Sequence, residues 1–284
     1  MKKYIYINGE ITPETEAHIS PLNPGFLFGE GLFETIRADA GVATLLPEHL
    51  ARMQAGLKIL NLEIPPDFNR IAATITELLN VNQLANRSAA VKLICSPDNH
   101  KTDIGKVQSS TALVIRAIEL NQAEIKQRQM GMRALILPWY RDRKNPLLAV
   151  KSLNYLENRY ALQEAKREGF DEGIFLNHEG ELCEGTFSNL FLVKNEALLT
   201  PPLNAGILPG ISRAFILKQA LQSGINCQET PIILEDLQYC EGAFLTSSLM
   251  HLAPLASLDQ IEFDLDKTTR LREYLLNSFK KITS

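Results

Sequence analysis

Two charged residues stand in surroundings where charge is costly. Lys151 follows the apolar run Leu147-Leu148-Ala149-Val150 and precedes Ser152-Leu153. A lysine in that setting is partly buried, and burial lowers the ammonium pKa toward the free amine that carbonyl chemistry needs. The competing reading is a lysine that snorkels from a strand end. Glu184 lies in Leu182-Cys183-Glu184-Gly185-Thr186-Phe187-Ser188-Asn189, one carboxylate inside an apolar strand. A buried carboxylate requires a cationic or hydrogen-bonding partner. A protonated ring nitrogen of a bound heterocycle would serve, and so would one of the chain's own arginines.

Three further segments offer anion contacts. Leu208-Pro209-Gly210-Ile211-Ser212-Arg213 leads into an apolar helical pattern. A glycine before a helix start lets backbone N–H groups approach an anion, with a serine hydroxyl beside them. An ordinary serine N-cap has the same sequence form. Leu245-Thr246-Ser247-Ser248 places three hydroxyls at a strand end. Arg52, in Glu48-His49-Leu50-Ala51-Arg52, falls off the apolar stripe of its helix and taken alone is a solvated arginine. Gly29-Glu30-Gly31 is no dinucleotide fingerprint, because Glu34 stands where a third glycine would be.

The elements that carry these residues are mixed. Tyr4–Ile7 and the segment through Ile11 form a hairpin on Asn8-Gly9, and Leu32–Ala38 with Val42–Leu46 form another on Asp39-Ala40-Gly41. Alternation in the first strand of that second hairpin puts Phe33, Thr35 and Arg37 on one face. Pro47 opens a helix with Leu50, Met53, Leu57 and Leu60 on its stripe, and Ile71, Ile75, Leu78 and Leu79 mark a second. Ala89–Cys95 and Thr111–Ala117 are strands, and Lys92 is the one charge in the first. The Gln-rich stretch Asn121–Gly131 is expected to be a crossing between two units. Beyond it come a strand at Met132–Pro138, a basic loop at Trp139–Pro146, and a capping box at Asn154-x-x-Glu157 opening a helix through Glu168. Strands at Gly173–Leu176, Glu181–Glu184, Asn189–Val193 and Gly242–Ser247 accompany helices at Ser212–Gln222 and Leu265–Ile282. The order is α+β, with two lobes.

Composition narrows the function. The chain has 284 residues, 45% hydrophobic and 22% charged, enough for two modest domains. A net charge of −4 gives no basic surface for nucleic acid. No apolar run is long enough for a bilayer, and Met1-Lys2-Lys3-Tyr4-Ile5-Tyr6 has no long apolar stretch behind it, so neither a membrane span nor a signal peptide is expected. Four cysteines without C-x-x-C spacing and five scattered histidines argue for a reducing cytoplasm and no metal.

Taken in order, these segments resemble the class IV aminotransferases, the fold-type-IV pyridoxal-phosphate enzymes. The strings are Phe28-Gly29-Glu30-Gly31-Leu32-Phe33-Glu34-Thr35-Ile36-Arg37, Glu48-His49-Leu50-Ala51-Arg52, Lys151-Ser152-Leu153-Asn154-Tyr155-Leu156, Glu184 through Phe191, Gly206 through Arg213, and the hydroxyl strand. The resemblance implies a small N-terminal α/β lobe (1–120), a connection (121–131) and a larger, mixed, β-barrel-like C-terminal lobe with helices (132–284). It implies pyridoxal 5'-phosphate held by Lys151 as a Schiff base, with Lys151 also the proton shuttle and Glu184 on the pyridine nitrogen. Arg52, Ile211 and Ser212, with Ser247 or Ser248, would take the phosphate, and Thr186 would line the cofactor. A homodimer acting on a small molecule is implied as well.

Three branches of that family compete: branched-chain aminotransferases, D-amino-acid aminotransferases and aminodeoxychorismate lyase, which makes 4-aminobenzoate and pyruvate. Branched-chain enzymes usually carry glycine where Thr35 stands, whereas the lyase has threonine. The lyase also has a lysine at the place of Lys92, thought to hold substrate carboxylate. Ser247-Ser248-Leu249-Met250 looks more like the lyase than like Gly-Thr-Ala. The expectation is therefore a lyase with Thr35 assisting, Phe33, Arg37 and Lys92 at the substrate, and Lys101 in place of a missing arginine. Glu34 departs from that pattern, since the lyase has threonine there. The alternative is amino transfer to a 2-oxo acid.

Overall fold

Asn8 and Gly9 both take positive φ, 46° and 104°, so the chain reverses tightly between β1 (Tyr4–Ile7) and β2 (Glu10–Pro13). That hairpin opens a computed structural model that describes residues 2–98 and 111–282. Lys101 lies outside the described residues. These fall into two compact units: one takes 2–98, 111–121 and the returning segment Val150–Tyr155, and the other takes Gln122–Ala149 and Leu156–Ile282.

In the first unit, α1 (Pro24–Phe28) precedes β3 (Leu32–Asp39) and β4 (Val42–Ala43), which turn on Ala40 and Gly41 at positive φ. The expected strand Val42–Leu46 stops at Ala43. Leu45 adopts φ 53°, and α2 (Leu46–Ile59) starts at once with Pro47 in its first turn. α3 (Ile71–Val81), β5 (Ser88–Pro97) and β6 (Thr111–Glu119) follow, giving a sheet of order β2-β1-β6-β5-β3-β4. Met53 and Leu57 of α2, and Ile71, Ile75, Leu78 and Leu79 of α3, form one core with Leu32, Ile36 and Ala38 of β3. The even positions of β3 thus face the core, and Phe33, Thr35 and Arg37 share the opposite face.

In the second unit, the stretch expected as a crossing is helical, α4 (Gln122–Gln129). β7 (Met132–Arg141) runs three residues into the segment expected as a basic loop. The capping box at Asn154 does not form, because α5 (Leu156–Arg167) begins two residues later. β8 (Glu172–Asn177), β9 (Leu182–Gly185), β10 (Asn189–Lys194), β11 (Ala197–Thr200), β12 (Cys227–Glu229), β13 (Gly242–Ser247), β14 (His251–Leu258) and β15 (Ile261–Glu262) complete the sheet, with α6 (Ile211–Gln222) between β11 and β12 in the chain. The C-terminal segment breaks into a 3-10 turn and α7 (Thr269–Lys281). Strands β10-β13-β14-β7-β8-β9 neighbour one another in that order, and β9 pairs back to β10. The ring of six closes at one residue pair, Glu184 opposite Asn189.

Candidate active site

Lys151 sits in the first unit, not at the end of a strand. The apolar run before it is a 3-10 turn, Pro146–Ala149, and Val150 enters the core of α2 and α3. The backbone then lies along the start of β3. Phe33 N–H donates to the Lys151 carbonyl at 2.9 Å, Leu153 N–H donates to the Gly31 carbonyl at 2.9 Å, and Ser152 bridges Leu32. Gly31 makes that approach possible: it holds φ 149°, and a Cβ there would run into the Cys95 carbonyl and Leu153. The side chain is half-buried, with Nζ 4.5 Å from the Phe33 ring centroid and 5.3 Å from that of Tyr155. Such rings hold a cation without neutralising it, so the amine keeps its orientation.

On the same sheet face, Thr35 is the direct cross-strand neighbour of Lys92. Lys92 Nζ also lies 4.5 Å from the Phe33 ring, so one ring serves two ammonium groups. Lys92, the one charge in its strand, is exposed, so the apolar strand does not desolvate it. Arg37 forms a side-on pair with Asp39 at 2.6 and 3.1 Å.

The core face of β3 carries a cluster that the sequence did not reveal. Glu34 is 1% exposed and accepts from His49 Nδ1 at 2.7 Å, Arg52 Nε at 2.7 Å and Arg52 Nη2 at 2.6 Å. Burial alone would raise its carboxyl. The bonds from His49 and Arg52 outweigh burial and bring it down to about 2. Arg52 is therefore no solvated arginine. The only signal available was spacing, since His49 and Arg52, three apart on a helix, share one face.

In the second unit, Glu184 is buried on β9 and held from three sides. Arg141 Nη1 donates to Oε1 at 2.8 Å, and Asn189 Nδ2 and the Leu208 N–H donate to Oε2 at 3.1 Å each. Arg141 is 4% exposed, packs its guanidinium 3.5 Å above the Phe175 ring, and donates to Asn158 at 3.0 Å. The sequence reading missed Arg141 because it treated Trp139–Pro146 as a loop.

The start of α6 has the features expected of an anion contact. Gly210 is its N-cap with no side-chain cap, and the first turn carries no acidic residue. The alternative reading of Ser212 as an ordinary N-cap does not hold, since Gly210 is the N-cap and Ser212 lies inside the first turn. Ser212 is buried, while Ser247 and Ser248 are half-buried at the end of β13. Thr246 is turned inward, donating to the His251 carbonyl at 2.5 Å. Thr186 is also inward: its hydroxyl and its N–H both donate to Glu172.

The family profile described as Amino-transferase class IV matches residues 31–258. A Methanocaldococcus jannaschii protein provisionally named a branched-chain-amino-acid aminotransferase is 34% identical over 98% of this chain and 96% of its own. The aminodeoxychorismate lyase of Bacillus subtilis is 31% identical over 91% of this chain and 88% of its own. The branched-chain aminotransferase structure from Thermoproteus uzoniensis, with norvaline, superposes with TM-score 0.90 at 25% identity, covering 100% of this chain and 95% of that one.

The chain belongs to the class IV aminotransferase family, and it is an enzyme whose cofactor is pyridoxal 5'-phosphate. The donors present suit that group: an orientable amine at Lys151, a held carboxylate at Glu184 and an uncapped helix start at α6. Among the described residues no helix is long and apolar enough to cross a membrane.

Proposed function

We propose that this enzyme is a 4-amino-4-deoxychorismate lyase, releasing pyruvate and leaving 4-aminobenzoate. The observation that carries the reading is the Thr35–Lys92 cross-strand pair on the face where the Phe33 ring meets both Lys92 and Lys151. A hydroxyl, an exposed cation and the amine of Lys151 are thereby gathered about one ring.

In this reading Lys151 Nζ binds the cofactor's aldehyde carbon and, once released by substrate, takes the proton from the carbon bearing the amino group. When bound, pyridoxal phosphate supplies the electron sink for the pair left behind. Glu184, fixed by Arg141 and Asn189, holds a proton on the pyridine nitrogen. Arg52, Ile211, Ser212 and Ser247 or Ser248 take the phosphate. Thr35 assists departure of the enolpyruvyl group, and Lys92, with Arg37 nearby on the same face, takes substrate carboxylate. Aromatisation of the product ring drives the reaction forward. Two copies of the chain form the working unit.

A second reading, amino transfer to a 2-oxo acid, is favoured by Glu34, which stands where the lyase pattern has threonine. The two are separated at Lys92 and Thr35. Lys92→Met should raise KM for 4-amino-4-deoxychorismate about tenfold, the loss of one charge-assisted contact, with cofactor retention unchanged. Thr35→Val should lower kcat more than it raises KM. Unchanged kinetics in both variants would overturn the lyase reading.

A further inference from the structure

Glu172 opens β8 and is wholly buried, yet none of the roles above uses it. Four donors converge on its carboxylate. The Gly173 N–H (3.0 Å), the Thr186 N–H (2.9 Å) and the Thr186 hydroxyl (2.5 Å) reach Oε1, and the Ser188 hydroxyl (2.8 Å) reaches Oε2. Thr186 and Ser188 belong to the short turn between β9 and β10, which Gly185 N–H closes onto the Ser188 carbonyl at 2.7 Å. Glu184 is the residue before that turn and Asn189 the residue after it. A Cβ on Gly185 would land on the Ser188 hydroxyl and within 2.8 Å of Glu172 Oε2, so the turn is packed directly on this carboxylate.

The same turn is tied to Arg141. Asn158 Nδ2 donates to the Thr186 carbonyl at 2.7 Å, and Asn158 Oδ1 accepts from Arg141 Nη2 at 3.0 Å. Arg141 Nη1 then reaches Glu184 at 2.8 Å. Two of the three bonds on Glu184 described above, those from the Arg141 guanidinium and the Asn189 amide, are therefore linked to a turn whose Thr186 and Ser188 hydroxyls end on Glu172. Burial pushes the Glu172 carboxyl upward, and the bonds from Thr186, Ser188 and Gly173 oppose that push. A group kept at such desolvation cost is retained for the arrangement it enforces.

We propose that Glu172 is a positioning residue for Glu184: it fixes the 185–188 turn so that the Glu184 carboxylate meets the pyridine nitrogen in one orientation. This rests on the reading that Glu184 serves that nitrogen. Glutamine can replace Glu172 with little disturbance, since its carbonyl accepts the two N–H bonds and its amide donates to Ser188. Alanine cannot.

The experiment compares holoenzymes of wild type, Glu172→Ala, Glu172→Gln and Glu184→Gln. It reads the visible band of bound pyridoxal phosphate against pH, borohydride fixation on Lys151, and kcat and KM. Glu172→Ala should keep fixation on Lys151, displace the pH profile of the band in the direction seen for Glu184→Gln, and lower kcat at least tenfold with KM within threefold. Glu172→Gln should restore both to within threefold of wild type. A wild-type profile in Glu172→Ala alongside a displaced one in Glu184→Gln overturns the positioning role and leaves Glu184 in place. A wild-type profile in Glu184→Gln overturns the reading beneath it. Equal loss in the alanine and glutamine variants overturns the role in favour of plain structural support. Should the alanine variant fail to fold, Ser188→Ala takes its place: a smaller displacement in the same direction supports the proposal, and none overturns it.

Discussion

Arg52 meets Glu34 side-on, Nε to one carboxylate oxygen at 2.7 Å and Nη2 to the other at 2.6 Å. The pair is buried, with side-chain exposures of 11% and 1%. Removing one member of such a pair leaves the other uncompensated, typically at about 3 kcal/mol or more. Arg52→Ala should therefore destabilise the protein by that amount in urea unfolding, and should release cofactor about tenfold more readily. Arg52→Lys keeps the charge and loses the two-pronged geometry, so it should recover part of the stability only. A stability loss without any change in cofactor release would confine Arg52 to the core.

The same carboxylate makes a pH prediction. Its folded pKa, about 2, lies below the ordinary 4.5. The sign follows: a depressed pKa means stability that is complete above about 4.5 and is lost as pH falls toward 2. The shift corresponds to about 3 kcal/mol. Unfolding free energy measured between pH 6 and 2.5 should fall more steeply for wild type than for Glu34→Gln. Parallel curves would contradict the assignment.

Arg141→Met tests the electrostatics at Glu184. The substitution keeps much of the stem over Phe175 but removes the guanidinium that donates to Glu184 at 2.8 Å. Glu184 would then keep the Asn189 amide and the Leu208 N–H. The pH profile of the visible band of the bound cofactor should differ from that of wild type, and an identical profile would contradict a role for Arg141 at Glu184. Cofactor retention by Lys151 should survive, and a stability loss of about 3 kcal/mol should accompany the change.

Legibility in the sequence followed burial on one face or two. β3 alternates, so Phe33, Thr35 and Arg37 were correctly placed together. The Asn8-Gly9 turn and β13 were readable because turn chemistry and a short apolar run agree. β14 was missed because it contains Pro254, which reads as a break, although neighbours bury almost all of it. α4 has only Ile125 buried, so its sequence carries no apolar stripe to read. At the site, Lys151 and Glu184 stood out because charge sat beside apolar residues. Glu34, Arg141 and Glu172 did not, because their partners lie on other elements: fifteen residues away for His49 and Glu34, forty-three for Arg141 and Glu184.

The lyase reading is tested most directly on the wild-type holoenzyme. It should be given 4-amino-4-deoxychorismate, and separately branched-chain or D-amino acids with 2-oxoglutarate or pyruvate. The account predicts equimolar 4-aminobenzoate and pyruvate from the first, with slow amino transfer at most from the others. Brisk amino transfer with no 4-aminobenzoate would contradict it and leave a class IV aminotransferase.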